Sequence, residues 1–248
     1  MDQMTDFSTC FVSLIAEAIG LPPRSFEKFF WSELDSEGTT TCDPQKDPKR
    51  KRQDKLKIVK YPDVAALPTA SGGGPETQGV GPHKDSMISS YLLQATAHPG
   101  LQVQNACGEW ISCSPIPGTF VVAIGQGLEV MTGGVCVATT HRVLSPPAGS
   151  GARLSIPFFQ GVNYDAQFED MEVPEDVKAL KREIKRSVSA GELVEMTLKK
   201  GMYRMLGEAT LMNRVRSHQD VGERWYPDLL KVVREMAAQE CATGETPA

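Results

Sequence analysis

The sequence predicts a mainly β fold, an antiparallel sandwich, barrel or jelly roll, with helices before and after it in the chain. Two observations support this. Between residues 56 and 163, short runs of β-type composition alternate with Gly, Pro or Asn, and no helical pattern separates them. On either side of this region, apolar residues recur at helical spacing instead.

The N-terminal part, residues 1–37, is predicted to be helical. A first amphipathic helix should end near Gly20-Leu21-Pro22-Pro23, and a second should begin at Ser25, whose hydroxyl can cap it. The apolar face of the first helix is predicted from Phe11, Leu14, Ile15, Ala18 and Ile19. The second is expected to place Phe26, Phe29 and Phe30 on one face. Residues 38–55 are polar and lack periodicity, which predicts an exposed loop with a solvated charge run at Lys49–Arg52.

Residues 56–165 form the predicted β core. Its strands are expected at "LKIVKY", "MISSYLLQ", "GLQVQN", "EWISC", "TFVVAIG", "GVCVATTHRV" and "ARLSIPFFQG". Residues 166–248 return to a helical pattern, with Pro174-Glu175-Asp176 as a first turn and further helices around 192–216 and 226–240. We therefore expect one domain over 1–248, a β core flanked by helices.

Composition and charge exclude several functions. The formal net charge is −5, so there is no electrostatic case for binding nucleic acid or an anionic membrane. No apolar run approaches the roughly 20 residues that span a bilayer, and the N-terminus is acidic where a signal peptide is basic. The six cysteines are scattered without a C-x-x-C pair, which predicts reduced thiols in a cytoplasmic protein. We expect a monomer.

A candidate metal site comes from "GPHKDS". His83 and Asp85 are an i, i+2 pair, so in an extended segment both side chains leave the same face. Of the four histidines, His141 is the best third ligand, because it ends the predicted strand "VCVATTHRV" and can return to face the first pair. Two histidines and one carboxylate hold three positions of an octahedron and leave three open, as in non-haem Fe(II) oxygenases.

A candidate carboxylate site comes from "GARLSIPFF". Arg153 and Ser155 share one face of the predicted strand, and Leu154 and Ile156 take the other. A guanidinium in an apolar strand is costly to bury unless it meets an anion, and its paired donors suit a carboxylate. The hydroxyl of Ser155 can donate to the same group.

These five positions, in this order, resemble those of the isopenicillin N synthase-like Fe(II)/2-oxoglutarate-dependent dioxygenases. The strands between them resemble that family's core segment by segment, from about Lys57 to Asn163. The resemblance implies a double-stranded β-helix, a jelly roll, in which His83, Asp85 and His141 bind Fe(II). It implies that Arg153 and Ser155 hold the distal carboxylate of 2-oxoglutarate.

The resemblance extends in part to the rest of the pocket. Tyr61 matches a tyrosine that contacts co-substrate or substrate in many relatives, whereas Val59 replaces an asparagine often found there. Further pocket residues are expected at Met87, Ser89 and Tyr91. The tract Arg214–Pro227 is either a lid over the pocket or an exposed helix end.

The implied activity is an oxidoreductase that uses Fe(II), 2-oxoglutarate and O₂ to oxidise a small organic molecule in specialised metabolism. Hydroxylation, desaturation and ring closure all remain open. One alternative is an isopenicillin N synthase-type oxidase that does not use 2-oxoglutarate. Another is an inactive, truncated member that serves as a binding module, because the family's usual N-terminal segment is expected to be absent.

Overall fold

Two antiparallel sheets pack against each other in the computed structural model of the chain, which describes residues 1–30, 52–66, 78–164, 166–167, 169–186 and 205–243. The strands, in chain order, are β1 Lys55–Leu56, β2 Val59–Tyr61, β3 Gln78–His83, β4 Ser89–Gln94, β5 Leu101–Gln104, β6 Trp110–Ser112, β7 Val121–Ile124, β8 His141–Leu144 and β9 Arg153–Gln160. The first sheet has the order β1-β9-β4-β7, and β2 also pairs with β9. The second sheet has the order β3-β8-β5-β6.

The chain crosses repeatedly from one sheet to the other between β3 and β9, which is the connectivity of a jelly roll. Apolar side chains from both sheets meet between them: Tyr61 and Leu92 from the first, Leu101 and Val143 from the second. The predicted mainly β fold with flanking helices is therefore confirmed.

Helices precede, interrupt and follow these strands along the chain. They are α1 Asp2–Ala18, α2 Gln126–Met131, α3 Glu175–Arg186, α4 Leu206–Ser217, α5 Gln219–Trp225 and α6 Pro227–Thr243. The predicted helices at residue 174 onward and near 226 match α3 and α6. The predicted helix at 192–216 overlaps α4, and its first part lies outside the described residues.

The helix α1 and its end before Gly20 are confirmed, and its predicted apolar face is wrong only in part: Ile15 and Ile19 pack in the core, whereas Leu14 and Ala18 are exposed. Its buried residues are Thr5, Ser8, Val12 and Ala16, whereas 55% of Leu14 is exposed. The reason is close packing against the first sheet. The rings of Phe7 and Phe11 meet Tyr91 of β4 edge-on, at centroid distances of 5.6 and 5.9 Å. Small side chains between these rings let the helix approach.

The prediction of a second helix from Ser25 is also wrong. In the described residues up to Phe30, only a 3₁₀ turn forms, over Glu27–Phe29, and no side chain caps it. Phe26, Phe29 and Phe30 are all buried in one apolar cluster with residues of α1 and α2. A 3₁₀ turn and its flanking residues are enough to bury three aromatic rings in one cluster, so an α-helix is not needed here. Most of the predicted loop 38–55 lies outside the described residues.

The predicted strand "GVCVATTHRV" is mostly wrong, since β8 begins only at His141. The preceding segment follows α2, which was not predicted, through Gly133 and Gly134 at positive φ. The segment forms no strand ladder of its own: Ala138 N–H donates to the Glu129 carboxylate at 2.8 Å, and Thr139 N–H donates to the Ile124 carbonyl at the end of β7. Strand β3 was not predicted either, because "QGVGPH" has no apolar alternation.

Four cysteines of the described residues, Cys10, Cys107, Cys113 and Cys136, are free thiols. Among the helices that the structure describes, none combines the length and apolar character needed to cross a membrane.

Candidate metal and carboxylate site

Strand pairing brings the three candidate metal ligands together. His83 is the last residue of β3 and His141 the first of β8, and the two are direct partners in the antiparallel ladder. Their ring centroids lie 4.2 Å apart. Asp85 follows β3 by two residues, and one ligand atom from each residue lies within 4.8 Å of the others. The prediction that His141 ends a strand was wrong, but its place beside His83 follows from this register.

Hydrogen bonds orient both imidazoles toward Asp85. Nδ1 of His83 lies 2.8 Å from the Gly81 carbonyl, and Nδ1 of His141 lies 2.9 Å from the Thr139 carbonyl. A carbonyl only accepts, so each Nδ1 carries a proton, and Nε2 is the ring nitrogen that faces Asp85. The two Nε2 atoms lie 3.6 and 3.7 Å from the Asp85 oxygens, too far for hydrogen bonds and close enough to share one ion.

The protonation state of His83 also suits a ligand. Burial, followed by the charge of the neighbouring His141, lowers the pKa of His83, and Asp85 opposes this effect only in part. The imidazole is therefore kept neutral, which is the form that binds a metal ion.

Hydrogen bonds to the side chain and to the backbone of Asp85 hold this residue in place. Ser90 Oγ donates to Asp85 Oδ2, and the backbone N–H of Gln126 donates to the Asp85 carbonyl at 2.8 Å. The residue before α2, Gly125, fits closely here: a Cβ added to it would lie 1.9 Å from the Met87 carbonyl oxygen. The start of α2 thus fixes the loop that carries Asp85, and neither Ser90 nor α2 was identified from the sequence.

Arg153, the first residue of β9, lies in the interior with 1% of its surface exposed. It pairs with Tyr61 of β2, and its guanidinium carbon lies 5.2 Å from the centre of that ring. Nη2 donates to Gln94 Oε1 at 2.9 Å. Nε and Nη1 are buried and have no hydrogen-bond partner among the described residues. Burial lowers the pKa of this guanidinium and also raises the pKa of Tyr61.

Ser155 and Gln94 complete this end of the site. Ser155 lies two residues along β9 from Arg153 and is buried on the same face. Gln94 was missed from the sequence. Its Nε2 donates to the Cys113 carbonyl at 3.0 Å, which turns Oε1 toward Arg153. A polar residue at the end of an apolar run was the only sequence signal for it.

One cavity of about 580 Å³ joins the two ends. Its walls include the three candidate ligands, Tyr61, Arg153 and Ser155. Of the other pocket residues predicted in "MISSYLLQ", Met87, which precedes β4, lines the cavity. Ser89 and Tyr91 were wrong: they point to the opposite face, where Tyr91 packs on α1. Side chains alternate along a strand, so Ser90 and Leu92 are the ones that face the site.

The donor set fits a defined chemistry. Two imidazole nitrogens and one carboxylate oxygen on adjacent positions suit Fe(II) with open coordination sites. In the same cavity, a buried guanidinium with two donors to spare suits a carboxylate, which can accept both. The arrangement can therefore hold a metal ion and an organic acid side by side.

Comparison with known proteins agrees with this chemistry. The family model of the 2OG-Fe(II) oxygenase superfamily matches residues 54–162. A "2-oxoglutarate-dependent dioxygenase frbJ" from Dothideomycetidae sp. (strain 11243) is 54% identical over 243 residues, covering 97% of this chain and 60% of that protein. A 2-oxoglutarate-dependent dioxygenase from Gibberella zeae is 36% identical over 248 residues, covering 96% of this chain and 58% of that protein. The chain thus spans somewhat more than half the length of these relatives.

The crystal structure of a full-length Neurospora crassa protein in complex with alpha-KG has a similar fold. The TM-score is 0.57 at 21% identity, and the match covers 86% of this chain and 54% of that one.

Proposed function

The chain belongs to the 2OG-Fe(II) oxygenase superfamily, and on this basis we propose that it is a non-haem Fe(II)- and 2-oxoglutarate-dependent dioxygenase acting on a small organic molecule. One observation carries the proposal: buried Arg153 has two donors without a partner among the described residues, and it shares a cavity with His83, Asp85 and His141. A lone metal site would not need such a guanidinium. A metal-chelating organic acid explains both halves of the cavity.

In this proposal each residue has a defined role. His83 and His141 bind Fe(II) through Nε2, and Asp85 binds through a carboxylate oxygen. Arg153 pairs with the far carboxylate of 2-oxoglutarate, and Ser155 donates to the same group. Tyr61 supports the guanidinium through its ring and closes the wall beside it.

The bound cofactors supply the oxidation, in which O₂ converts 2-oxoglutarate to succinate and CO₂ and the second oxygen atom serves to oxidise a C–H bond of the substrate. The protein orients the ligands, holds the His83 imidazole neutral and keeps the Arg153 end of the cavity dry. The position of the substrate decides between hydroxylation, desaturation and ring closure.

The setting of the enzyme belongs to the same proposal. We infer a cytoplasmic monomer in specialised metabolism that acts without nucleic acid or membrane partners. The free thiols and the mild negative charge support this setting.

The test is an anaerobic titration of metal-free protein with Fe(II) and 2-oxoglutarate, followed by visible absorption. We expect the weak charge-transfer band of an iron-chelated 2-oxo acid. Asp85→Ala should abolish iron binding, because one of three ligands is lost. Arg153→Gln should retain iron but weaken 2-oxoglutarate at least about tenfold, since a charged hydrogen-bond pair is removed.

Arg142→Gln is the matched control. Arg142 lies on β8, donates to Gln102 at 2.8 Å and stacks on Trp110, so it resembles Arg153 in its contacts but does not line the cavity. This variant should bind 2-oxoglutarate normally. Iron binding without the band would favour an oxidase that does not use 2-oxoglutarate, and folded protein that binds no iron would favour a binding module.

A further inference from the structure

A second group of cations lines the same cavity, away from Arg153. Lys55 of β1 and Lys57 just after it place their ammonium groups 5.2 and 5.8 Å from the centre of one ring, Phe159. Arg214 of α4 lines the same cavity. None of these three cations forms an ion pair with a carboxylate in the described part of the chain, where Asp85 is the one carboxylate of the cavity wall.

These cations repel one another at short range. Burial, and then the charges of Arg214 and Lys57, lower the pKa of Lys55 to about 8. Unpaired like charges are costly beside a half-buried wall, and an anion removes that cost.

Strand register separates this group from the carboxylate site. Lys55 pairs with Phe159 near one end of β9, and Tyr61 pairs with Arg153 at the other. At about 3.3 Å per residue, Arg153 and Phe159 are about 20 Å apart along the strand. Ser90, which holds Asp85, also pairs with Phe159. The candidate metal ligands therefore lie toward the lysines, and Arg153 lies beyond them.

A second cavity opens past the same cations. It measures about 690 Å³ and shares Lys55, Lys57 and Arg214 with the first. The rest of its wall is mainly apolar and aromatic, with Tyr164, Leu211, Val215, Val221 and Tyr226. Its one carboxylate among the described lining residues, Asp54, is paired with Arg52 at 3.1 Å. The cations thus stand between the candidate metal ligands and a mainly apolar chamber.

From this placement we propose that the substrate is an amphipathic organic oxyanion, a carboxylate or a phosphate ester, held by Lys55, Lys57 and Arg214. Its reacting carbon faces the metal ligands, and an apolar part enters the second cavity. This inference rests on the proposed function, because only an oxygenase would have a substrate at this place. The binding of an anion at this wall is a separate property that can be measured without turnover.

The test is calorimetric titration of anaerobic protein loaded with Fe(II) and 2-oxoglutarate. The probes are octanoate, octyl phosphate and octanamide, which share a chain length and differ in the head group. We expect at least one of the two anions to bind about tenfold or more tightly than the neutral amide, because a charge-assisted contact is gained. The stronger of the two anions identifies the head group.

Variants locate the site. Lys55→Gln and Arg214→Gln should each weaken the anionic probe about tenfold and leave the 2-oxoglutarate band unchanged. Lys60→Gln is the control, because Lys60 lies on the adjacent strand β2, is exposed and lines neither cavity. It should change neither measurement.

The outcomes separate the two proposals. Octanamide binding as tightly as both anions would overturn the inference, and so would variants that weaken 2-oxoglutarate in place of the probe. Absence of the band in wild-type protein would instead contradict the proposed function, whatever the probes do.

Discussion

Gln94 and Ser90 orient the two ends of the candidate site from positions four residues apart on β4. Gln94 accepts a hydrogen bond from Arg153, and Ser90 donates one to Asp85. Both lie on the face of β4 that carries Leu92 of the cavity wall, because their positions differ from that of Leu92 by two. The geometry of the site therefore depends on side chains that need not touch either ligand.

Replacing Gln94 tests this dependence. In Gln94→Leu, the guanidinium of Arg153 loses the acceptor that fixes its plane, so 2-oxoglutarate should bind about tenfold more weakly. Iron affinity should not change. The charge-transfer titration measures the first and a metal-binding titration the second. Gln102→Leu removes the equivalent acceptor from Arg142 and should leave 2-oxoglutarate binding intact; equal losses in both variants would contradict the role given to Gln94.

Lys55 gives the anion site a pH dependence. Its pKa is lowered to about 8, so the ammonium is charged below that pH and neutral above it. The groups that act on it are Lys57 beside it, Arg214 on α4 and Asp85 after β3. We expect the affinity for octanoate to fall as pH rises through the region of pH 8, measured by calorimetry, and the same fall to be absent from Lys55→Gln. A flat profile in wild-type protein would show that Lys55 does not contact the anion.

The place of a single residue in the candidate site was predictable where its residue type was unusual for the surrounding sequence. His83, Asp85 and Arg153 are polar groups in or beside β-type runs, and the structure places them around one cavity. Ser90 was not predictable, because "MISSYLLQ" lacks the alternation that would tell its two faces apart. The choice of Ser89 and Tyr91 was an error of one position along that strand.

Among the elements, α2 fixes the loop that carries Asp85, and Gly125 is the point of closest contact. Its backbone is extended, so alanine is acceptable to the local conformation. The added Cβ would nevertheless overlap the Met87 carbonyl oxygen, and the loop would have to move.

We expect Gly125→Ala to weaken iron binding by at least about tenfold, as expected when the support of a metal ligand is lost. A metal titration beside thermal unfolding measures this. Gly118→Ala is the control: its φ of 75° makes alanine unfavourable, but nothing lies within 4 Å of the added Cβ. Gly118→Ala should lower stability by about 1 kcal/mol and leave iron binding unchanged. Normal iron binding in Gly125→Ala would show that the loop adapts.

Elements were predictable where periodicity or turns marked them, as for β9 and α6. They were not predictable where tertiary contacts decide whether a segment becomes a strand or a helix. Strand β3 exists because "QGVGPH" pairs with β8, despite two register shifts. Helix α2 lies in an apolar stretch whose composition suits a strand equally well, and its length of six residues is too short for helical spacing to appear.

In the whole molecule, Asp54 links the N-terminal helix to the first sheet. Its carboxylate accepts from the Thr5 hydroxyl at 2.8 Å and from the Gly161 N–H at 2.9 Å, and it lies 3.1 Å from Arg52 Nε. Side-chain exposure is only 7% for Asp54. One carboxylate thus joins α1, the chain entering β1 and the chain leaving β9.

Asp54→Ala should lower the free energy of unfolding by about 3 kcal/mol, because it leaves a buried cation and a buried N–H without their acceptor. Chemical denaturation measures the change. Asp6→Asn, on an exposed position of the same helix, should stay within about 0.5 kcal/mol of wild type. A small effect of Asp54→Ala would mean that α1 contributes little to global stability.

The two ends of the candidate site belong to different sheets. His83 and His141 lie on β3 and β8 of one, and Arg153 and Ser155 lie on β9 of the other. A chelating acid bound at both ends acts as a non-covalent cross-link across the sandwich. The metal ion alone would contact only the sheet that carries His83 and His141. The organic acid alone would contact only the sheet that carries Arg153 and Ser155. Resistance of the fold to heat and proteolysis should therefore rise synergistically when both are present, so the availability of the co-substrate would govern the lifetime of the protein as well as its turnover.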